Sequence, residues 1–141
     1  MCETGGVETT EITLDTGRRK TTVDITSQVS SFCQGMGDGL LSIFVPHATA
    51  GIAVFETGAG SETDVMESID RLLPGDPSLW RHEHGTPGHG RDHVLPAFIS
   101  PSITIPVQDG RLQLGTWQSI VLVDTNVDNP SRRVRLSFLS G

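Results

Sequence analysis

Short stretches in which apolar residues alternate with polar ones, or run together, recur along the chain and predict β-strands. In the segment TEITLDT, the Ile and Leu side chains point to one side and the polar residues to the other, as in a half-buried strand. The same reasoning predicts further strands over KTTVDIT, LLSIFVPH, GIAVFE, SITIPVQ, RLQLGTW, SIVLVDT and RRVRLSFLS. A turn at Gly17-Arg18 is expected to join the first two strands as a hairpin, and Asp109-Gly110 is a typical hairpin turn between SITIPVQ and RLQLGTW.

One amphipathic segment predicts the main helix. Ser61, three residues before Asp64, fits a capping box at its start, and apolar residues then follow at helical spacing. Pro74-Gly75 is expected to end this helix. A second, short helix is predicted over SQVSSFCQ, residues 27–34.

These elements predict a mainly β or α+β chain, folded as an antiparallel, jelly-roll-like β-sandwich with one main flanking helix. At 141 residues, the chain fits a single domain over residues 1–141. Residues 1–9 are expected to form a mobile N-terminus.

The charge balance excludes some classes of partner. A formal net charge of -7 argues against a nucleic-acid partner, although a few local arginines suffice for a small phosphorylated ligand. No apolar run approaches the roughly 18 residues of a membrane helix, so no membrane partner is expected. Without a secretory signal pattern, and with only 2 cysteines, the expected location is the cytoplasm.

Four of the five histidines lie between Ser78 and Pro96, in a segment rich in Gly and Pro that is predicted to be a loop. They are His82, His84, His89 and His93. Imidazole nitrogens bind metals such as Zn²⁺, but no established metal-binding motif has this spacing. The last two histidines have the spacing of one helix face, whereas the nearby prolines and glycines disfavour a helix. The segment is therefore either a metal site or a polar surface loop.

Three more polar residues are candidates for chemistry. His47 and Glu56 each end a predicted buried strand, so they would emerge close together if those strands pair. Glu56 would then be a metal ligand, a residue that orients an imidazole, or a general base. Each also has a purely structural explanation as a polar strand end, and the capping box alone explains Asp64.

Two further segments are candidates for ligand binding. Arg132 and Arg133 begin the last predicted strand, and alternation sends them to opposite faces, so at most one of them enters a given site. That arginine would clamp a phosphate, unless both belong to a solvated charged edge. Residues 115–118, GTWQ, suit a ligand pocket or a subunit interface, and core packing explains Trp117 equally well.

Together these segments resemble a known family. The resemblance is carried by FVPHATAGIAVFE, DVMESIDRLLP, the pair Arg81-His82 with a histidine eleven residues after it, SITIPVQDGRLQLGTWQSIVLVD and RRVRL. They are similar to the YjbQ-like family, whose members are often described as secondary thiamine-phosphate synthases. The resemblance runs from about Thr10 to Gly141.

The resemblance implies a β-sandwich with a flanking helix, assembled as a homotrimer with its site near the subunit contacts. The three recurrent histidines of the family correspond to His47, His82 and His93. Its recurrent acids correspond to Glu56 and Asp64, with Asp124 where relatives carry Glu. The implied substrate- or phosphate-binding residues are Thr49, Thr116, Trp117, Gln118, Arg132 and Arg133. His84 and His89 are additional, and His89, which stands where relatives have Asn or Asp, is a candidate extra ligand.

The implied activity joins a pyrimidine diphosphate to a thiazole phosphate and releases pyrophosphate, with Mg²⁺ and basic side chains neutralising the phosphates. Histidines suit zinc or another transition metal better than magnesium. The alternative enzyme is a metal-dependent hydrolase of a small phosphorylated or carbonyl metabolite, in which Glu56 or Asp64 activates water beside the three histidines. A third hypothesis is a non-catalytic trimer that binds a metal or an anion. The expected cofactor is a divalent metal, and the expected partner is a small phosphorylated metabolite.

Overall fold

Eight strands form two antiparallel sheets in the computed structural model, which describes residues 5–141. The strands are β1 (Val7–Asp15), β2 (Thr21–Asp24), β3 (Gly39–Phe44), β4 (Ala50–Phe55), β5 (Ser102–Gln108), β6 (Arg111–Leu112), β7 (Ser119–Asp124) and β8 (Ser131–Ser140). The five-stranded sheet has the order β1-β8-β3-β5-β6, and the three-stranded sheet the order β2-β7-β4. The predicted fold class, a mainly β single domain with antiparallel sheets, is confirmed.

Within residues 5–141, three α-helices accompany the sheets: α1 (Thr26–Cys33), α2 (Ser61–Leu72) and α3 (Gly90–Phe98), with a short 3-10 turn at Pro77–Leu79. The first two agree with the predicted helices, and α3 is an addition to them. None of the described helices is long and apolar enough to span a membrane. Of the N-terminus predicted to be mobile, residues 1–4 lie outside the described residues, and Val7 already begins β1.

Strand β7 lies in the middle layer of the structure. Ile120 and Leu122 pack into the core between the two sheets, whereas Val121 and Val123 pack into a second core against α2 and α3. Each of these four side chains is at most 1% exposed. The side chains of a strand alternate between its faces, so a strand covered on both sides needs a continuous apolar run. Helices α2 and α3 therefore cover the outer face of the three-stranded sheet.

The predicted hairpin between the first two strands is wrong. β1 pairs with β8, from Val7↔Leu139 to Asp15↔Ser131, and β2 pairs with β7. The chain passes from one sheet to the other through residues 16–20, where Gly17 has a φ of 66°. An alternating pattern identifies a strand but not its partner, because every strand offers the same backbone hydrogen-bonding groups.

The predicted hairpin turn at Asp109-Gly110 is confirmed, but the strand after it is shorter than predicted. The φ angles of 50° and 70° at these two residues fit the tight turn expected there. β6 ends at Leu112, well before the predicted end at residue 117. The side-chain oxygen of Gln118 accepts a hydrogen bond from the Gly115 N–H at 2.8 Å, which folds this segment into a local turn.

The capping box predicted at the start of α2 is absent. Gly60, with a φ of 96°, precedes the helix and offers no side chain to cap it. Ser61 is consequently the first helical residue and not the cap, and Asp64 is exposed. Glu62, in the first turn, accepts a hydrogen bond from the Gly58 N–H at 2.8 Å, which joins the helix to the preceding turn but does not cap it.

Gly51 brings β4 into direct contact with the end of α3. A Cβ atom at this position would lie 2.1 Å from the backbone oxygen of Ile99, and the neighbouring Ile52 N–H donates to Ser100 at 2.8 Å. We expect Gly51→Ala to lower the free energy of unfolding by about 3 kcal/mol, measured by urea denaturation, because the two backbones must separate. Gly75→Ala is the control, since a Cβ there meets nothing within 4 Å. Equal effects of the two substitutions would contradict this account.

Candidate functional site

Four histidine side chains converge on one point beside α3. One ligand atom from each of His82, His84, His89 and His93 lies within 4.8 Å of the others. We call this group the four-histidine cluster. The first two residues lie in the loop after the 3-10 turn, the third immediately precedes α3, and the fourth is one turn further on. That spacing of four residues turns His89 and His93 to the same side, and their Nε2 atoms are 2.7 Å apart.

α3 forms in a segment that the sequence predicted to be a loop, and tertiary contacts explain the difference. Gly90 begins the helix in close contact with Trp80, because a Cβ on the glycine would lie 2.6 Å from the Trp80 Cβ. The Trp80 indole in turn donates a hydrogen bond to the Pro74 carbonyl at 2.8 Å. Arg91 donates to Asp70 of α2 at 2.7 Å. These contacts outweigh the weak helix propensity of the segment.

The imidazole rings of the cluster surround a small shared space. The rings of His82 and His93 are stacked with centroids 4.0 Å apart, and those of His82 and His84 are 3.9 Å apart. Nδ1 of His82 is buried without a hydrogen-bond partner among residues 5–141. Buried polar atoms are normally hydrogen-bonded, so an unpartnered imidazole nitrogen in a group of four histidines is consistent with a site for a metal ion.

Two carboxylates flank His89, which is only 8% exposed. One oxygen of Asp92 and one of Asp128 each lie 3.3 Å from Nδ1 of His89, close to it but not aligned as hydrogen-bond acceptors. Asp92 accepts a hydrogen bond from the Thr125 hydroxyl at 2.6 Å. The Thr86 hydroxyl hydrogen-bonds to Asp128 and is the main cause of the lowered pKa of that carboxyl group. Carboxylates placed behind a ligating imidazole help to orient its ring.

The pKa values of His82 and His93 both lie below the ordinary value for histidine. Removal from water is the largest cause for each. The next causes for His82 are His84 and His89, because each neighbouring imidazole disfavours an additional positive charge. A neutral imidazole at neutral pH keeps the lone pair that a metal ligand requires.

A cleft of about 260 Å³ opens beside His82 and His84. Its other walls are Pro77, Trp80, Glu83 and residues 85–88. Glu83 is the one carboxylate in this lining, and it is exposed. The cleft is slightly smaller than typical ligand pockets of roughly 300–1,000 Å³, so it suits a small metabolite.

His47 lies apart from the four-histidine cluster. β3 and β4 belong to different sheets, so His47 and Glu56 do not emerge from paired strands as the sequence analysis assumed. Nε2 of His47 accepts a hydrogen bond from the Arg133 N–H at 2.9 Å, and burial is the main cause of its lowered pKa. Within the described part of one chain, the histidine triad that the family resemblance implies therefore does not converge.

Thr49 and Arg132 belong to a buried polar network at the end of β7. Arg132 is 1% exposed and donates to both oxygens of Asp124, at 2.6 and 2.9 Å. It also donates to the Thr49 hydroxyl at 2.8 Å, and Asn126 donates to the same hydroxyl at 3.1 Å. Arg133 points to the other face with its side chain 53% exposed, so the predicted separation of the two arginines is confirmed. Of the pair, only Arg133 is accessible from solvent.

The predicted residues Glu56 and Trp117 lie at the opposite end of β7 from the cluster. Ser119 at the start of β7 pairs with Phe55, the residue before Glu56, whereas Thr125 follows the other end and contacts α3. A strand of this length spans about 20 Å.

The GTWQ segment is exposed, together with its Thr116 and Gln118. Trp117 is 73% exposed, which excludes core packing within the chain. Its expected place in a pocket or a subunit interface stays a prediction. Asp64 lines a separate groove of apolar side chains between α2 and α3.

The residues that support the cluster from behind were not predicted from the sequence. Asp92, Thr125 and Asp128 were not candidates, and His84 and His89 were additions to the family pattern. One signal was present: residues 124–129, DTNVDN, are a mostly polar run that begins at the last residue of a buried strand. All of residues 124–126 are at most 5% exposed, which is unusual for such side chains.

Comparison with known proteins agrees with the motifs. A sequence profile described as "UPF0047 protein YjbQ-like" matches residues 10–141. A UPF0047 protein of Mycobacterium tuberculosis strain H37Rv is 56% identical over 135 residues, which cover 96% of this chain and 100% of the relative. A UPF0047 protein of Archaeoglobus fulgidus is 32% identical over 130 residues, covering 92% of this chain and 99% of the relative.

Solved structures show the same similarity along the whole fold. The crystal structure of a protein of unknown function from Sulfolobus solfataricus P2, described as YbjQ-like, has a TM-score of 0.89 at 29% identity and covers 97% of this chain and 99% of its own. A hypothetical protein from Aeropyrum pernix K1 has a TM-score of 0.83 at 36% identity, with 95% and 99% covered. The resemblance inferred from the motifs is therefore confirmed, and the chain belongs to the YjbQ-like UPF0047 family.

Proposed function

We propose that this protein is a transition-metal-dependent enzyme that hydrolyses a small phosphorylated or carbonyl metabolite. The observation that carries the proposal is the convergence of four imidazoles, whose ligand atoms lie within 4.8 Å of one another. The unpartnered Nδ1 of His82 and the carboxylates behind His89 support it. The cleft beside His82 and His84 offers room for a small substrate next to the metal.

Zinc, or another transition metal that prefers imidazole nitrogen ligands, fits these four histidines better than magnesium. Imidazole nitrogen is a common ligand of zinc, cobalt, nickel and iron, whereas magnesium prefers oxygen ligands and keeps several waters. When bound, such a metal polarises a carbonyl or phosphoryl oxygen and lowers the pKa of water.

The same donor set favours hydrolysis over the thiamine-phosphate synthase activity that the family resemblance implies. That reaction relies on magnesium and basic side chains to neutralise pyrophosphate. Two of the residues that the resemblance assigns to phosphate, Thr49 and Arg132, already hydrogen-bond to each other inside the chain, and Arg132 also donates to Asp124.

Glu83 is the proposed proton carrier. In the hydrolysis, the oxygen of a water molecule bonds to the carbonyl carbon or to phosphorus, and the leaving group departs with the electron pair of the broken bond. Glu83 accepts one proton of that water and passes it to the leaving group. It takes the role first considered for Glu56 and Asp64 because it lines the cleft beside His82 and His84.

Turnover by the zinc-loaded protein tests this function. Nitrophenyl phosphate and nitrophenyl acetate represent the two substrate classes. We expect turnover that a chelator abolishes and added zinc restores, and a kcat about 100-fold lower in Glu83→Gln, with its zinc content unchanged. Glu67→Gln, an exposed change on α2, is the matched control and should keep the full kcat.

Two outcomes would contradict the hydrolase. One is turnover that survives complete removal of the metal. The other is condensation of the pyrimidine diphosphate with the thiazole phosphate in magnesium, without hydrolysis of either ester in zinc. The second outcome would favour the synthase instead.

A further inference from the structure

The four histidines of the cluster differ in how firmly the fold holds them. His89 is buried to all but 8% of its surface, and His82 and His93 are half-buried. His84 alone among the four is exposed. A ligand position that is open to solvent on one side is the one from which a side chain can move at least cost.

Three of the four histidines have backbones that neighbouring segments hold in place. His89 and His93 are tied to α3, which its Arg91 joins to Asp70 of α2. The backbone oxygen of His82 lies against the start of α3, where a Cβ on Gly90 would approach it to 3.3 Å. The backbones that carry these three histidines are therefore held in place beside the shared space.

His84 has no comparable support. Within residues 5–141, its side chain makes no hydrogen bond or ion pair, and its closest ring neighbour is His82 at 3.9 Å between centroids. The chain becomes fixed again at Gly85, whose φ is 77° and whose added Cβ would lie 3.1 Å from the His89 ring. Glu83 and His84 are therefore the short exposed piece between two anchored positions, and both line the cleft.

We propose that His84 is an exchangeable fourth ligand, which closes the metal site at rest and turns outward to solvent when an oxygen or anionic donor of a substrate in the cleft takes its place. This inference rests on the proposed metal site. Zinc sites with four protein ligands are typical of structural centres, whereas catalytic centres keep one position for water or substrate. Departure of His84 would therefore turn a closed site with four protein ligands into an open site of the catalytic kind. The substrate class is a small molecule with one carbonyl or phosphoryl oxygen, within the 260 Å³ of the cleft.

Cobalt(II) absorption spectroscopy with azide as the probe tests the exchange without any turnover. Wild type, His84→Ala and His93→Ala are each loaded with Co²⁺, and azide is titrated in while the visible bands report ligand number. His47→Ala removes a histidine outside the cluster and serves as the matched control. Circular dichroism spectra of all four proteins establish that each is folded.

In the wild type, azide has to displace His84, so its apparent affinity is reduced by the fraction of closed sites. We expect His84→Ala to keep one Co²⁺ per chain with an affinity about tenfold lower, to show altered visible bands, and to bind azide about tenfold more tightly. His47→Ala should match the wild type, and His93→Ala should fail to bind Co²⁺ stoichiometrically.

Three other results would contradict the proposal, each in a different way. If His84→Ala loses Co²⁺ as completely as His93→Ala, His84 is an obligatory ligand and the exchange is wrong. If the spectrum and azide affinity of His84→Ala equal those of the wild type, His84 is not a ligand at all. Failure of the wild type to bind Co²⁺ would overturn the proposed metal site itself, a result distinct from the other two.

Discussion

Replacement of His93 by Ala should abolish stoichiometric metal binding while leaving the protein folded. Nε2 of His93 lies 2.7 Å from Nε2 of His89, and its ring stacks on His82 at 4.0 Å, so the substitution removes the ligand at the centre of the cluster. We expect the affinity for zinc to fall by at least about 100-fold, measured by competition with a chromophoric chelator. The half-buried position of His93 at the surface of α3 makes loss of folding an unexpected outcome.

His47→Ala is the comparison that distinguishes the cluster from the family's histidine triad. His47 hydrogen-bonds to the Arg133 backbone and is not a member of the four-histidine cluster, so its loss should leave the zinc affinity unchanged. An equal loss of zinc in the two variants would favour the triad. Full retention of zinc by His93→Ala would show that the four-histidine cluster is not the metal site.

Arg132→Met should be among the most destabilising single substitutions in the chain. It leaves Asp124, which is 0% exposed, without the two hydrogen bonds of 2.6 and 2.9 Å that now satisfy its carboxylate. Removing one partner of a buried ion pair costs about 3–5 kcal/mol, because the other charge stays buried without a counter-charge; here the Thr16 hydroxyl and the Asn126 N–H still donate to Asp124. Urea unfolding followed by circular dichroism measures the loss.

The next residue provides a matched control. Arg133→Met removes the same kind of side chain from a position that is 53% exposed, where an ion pair contributes little, and should change the free energy of unfolding by less than about 1 kcal/mol. The double substitution Arg132→Met with Asp124→Leu should recover much of the lost stability, since no unpaired charge remains. Similar losses for Arg132→Met and Arg133→Met would contradict the buried network.

The strands were predictable because side chains alternate between the two faces of a strand, so a buried face requires an apolar residue at every second position. The continuous apolar run of β7 reflects cores on both of its faces, and the opposite directions of Arg132 and Arg133 follow from alternation alone. The partners of the strands were not predictable. β1 pairs with β8, more than 100 residues away, and nothing in either local pattern specifies that choice.

The sequence predicted which type of residue would form the site, histidine, but not which histidines would come together. The concentration of histidines between residues 78 and 96 indicated a metal site as one of two explanations. Their convergence depends on α3, which forms through contacts of Gly90 with Trp80 that a single sequence does not reveal. The same limit applies to His47 and Glu56, whose strands were expected to pair and instead belong to different sheets.

X-ray absorption spectroscopy of the wild-type protein, purified without a tag, a chelator or nickel resin, tests the metal site most directly. We expect about one transition-metal ion per chain, with three or four imidazole nitrogens at about 2.0–2.1 Å if the metal is zinc. Only trace metal after growth in added zinc, or a shell of oxygen ligands without imidazole scattering, would contradict it.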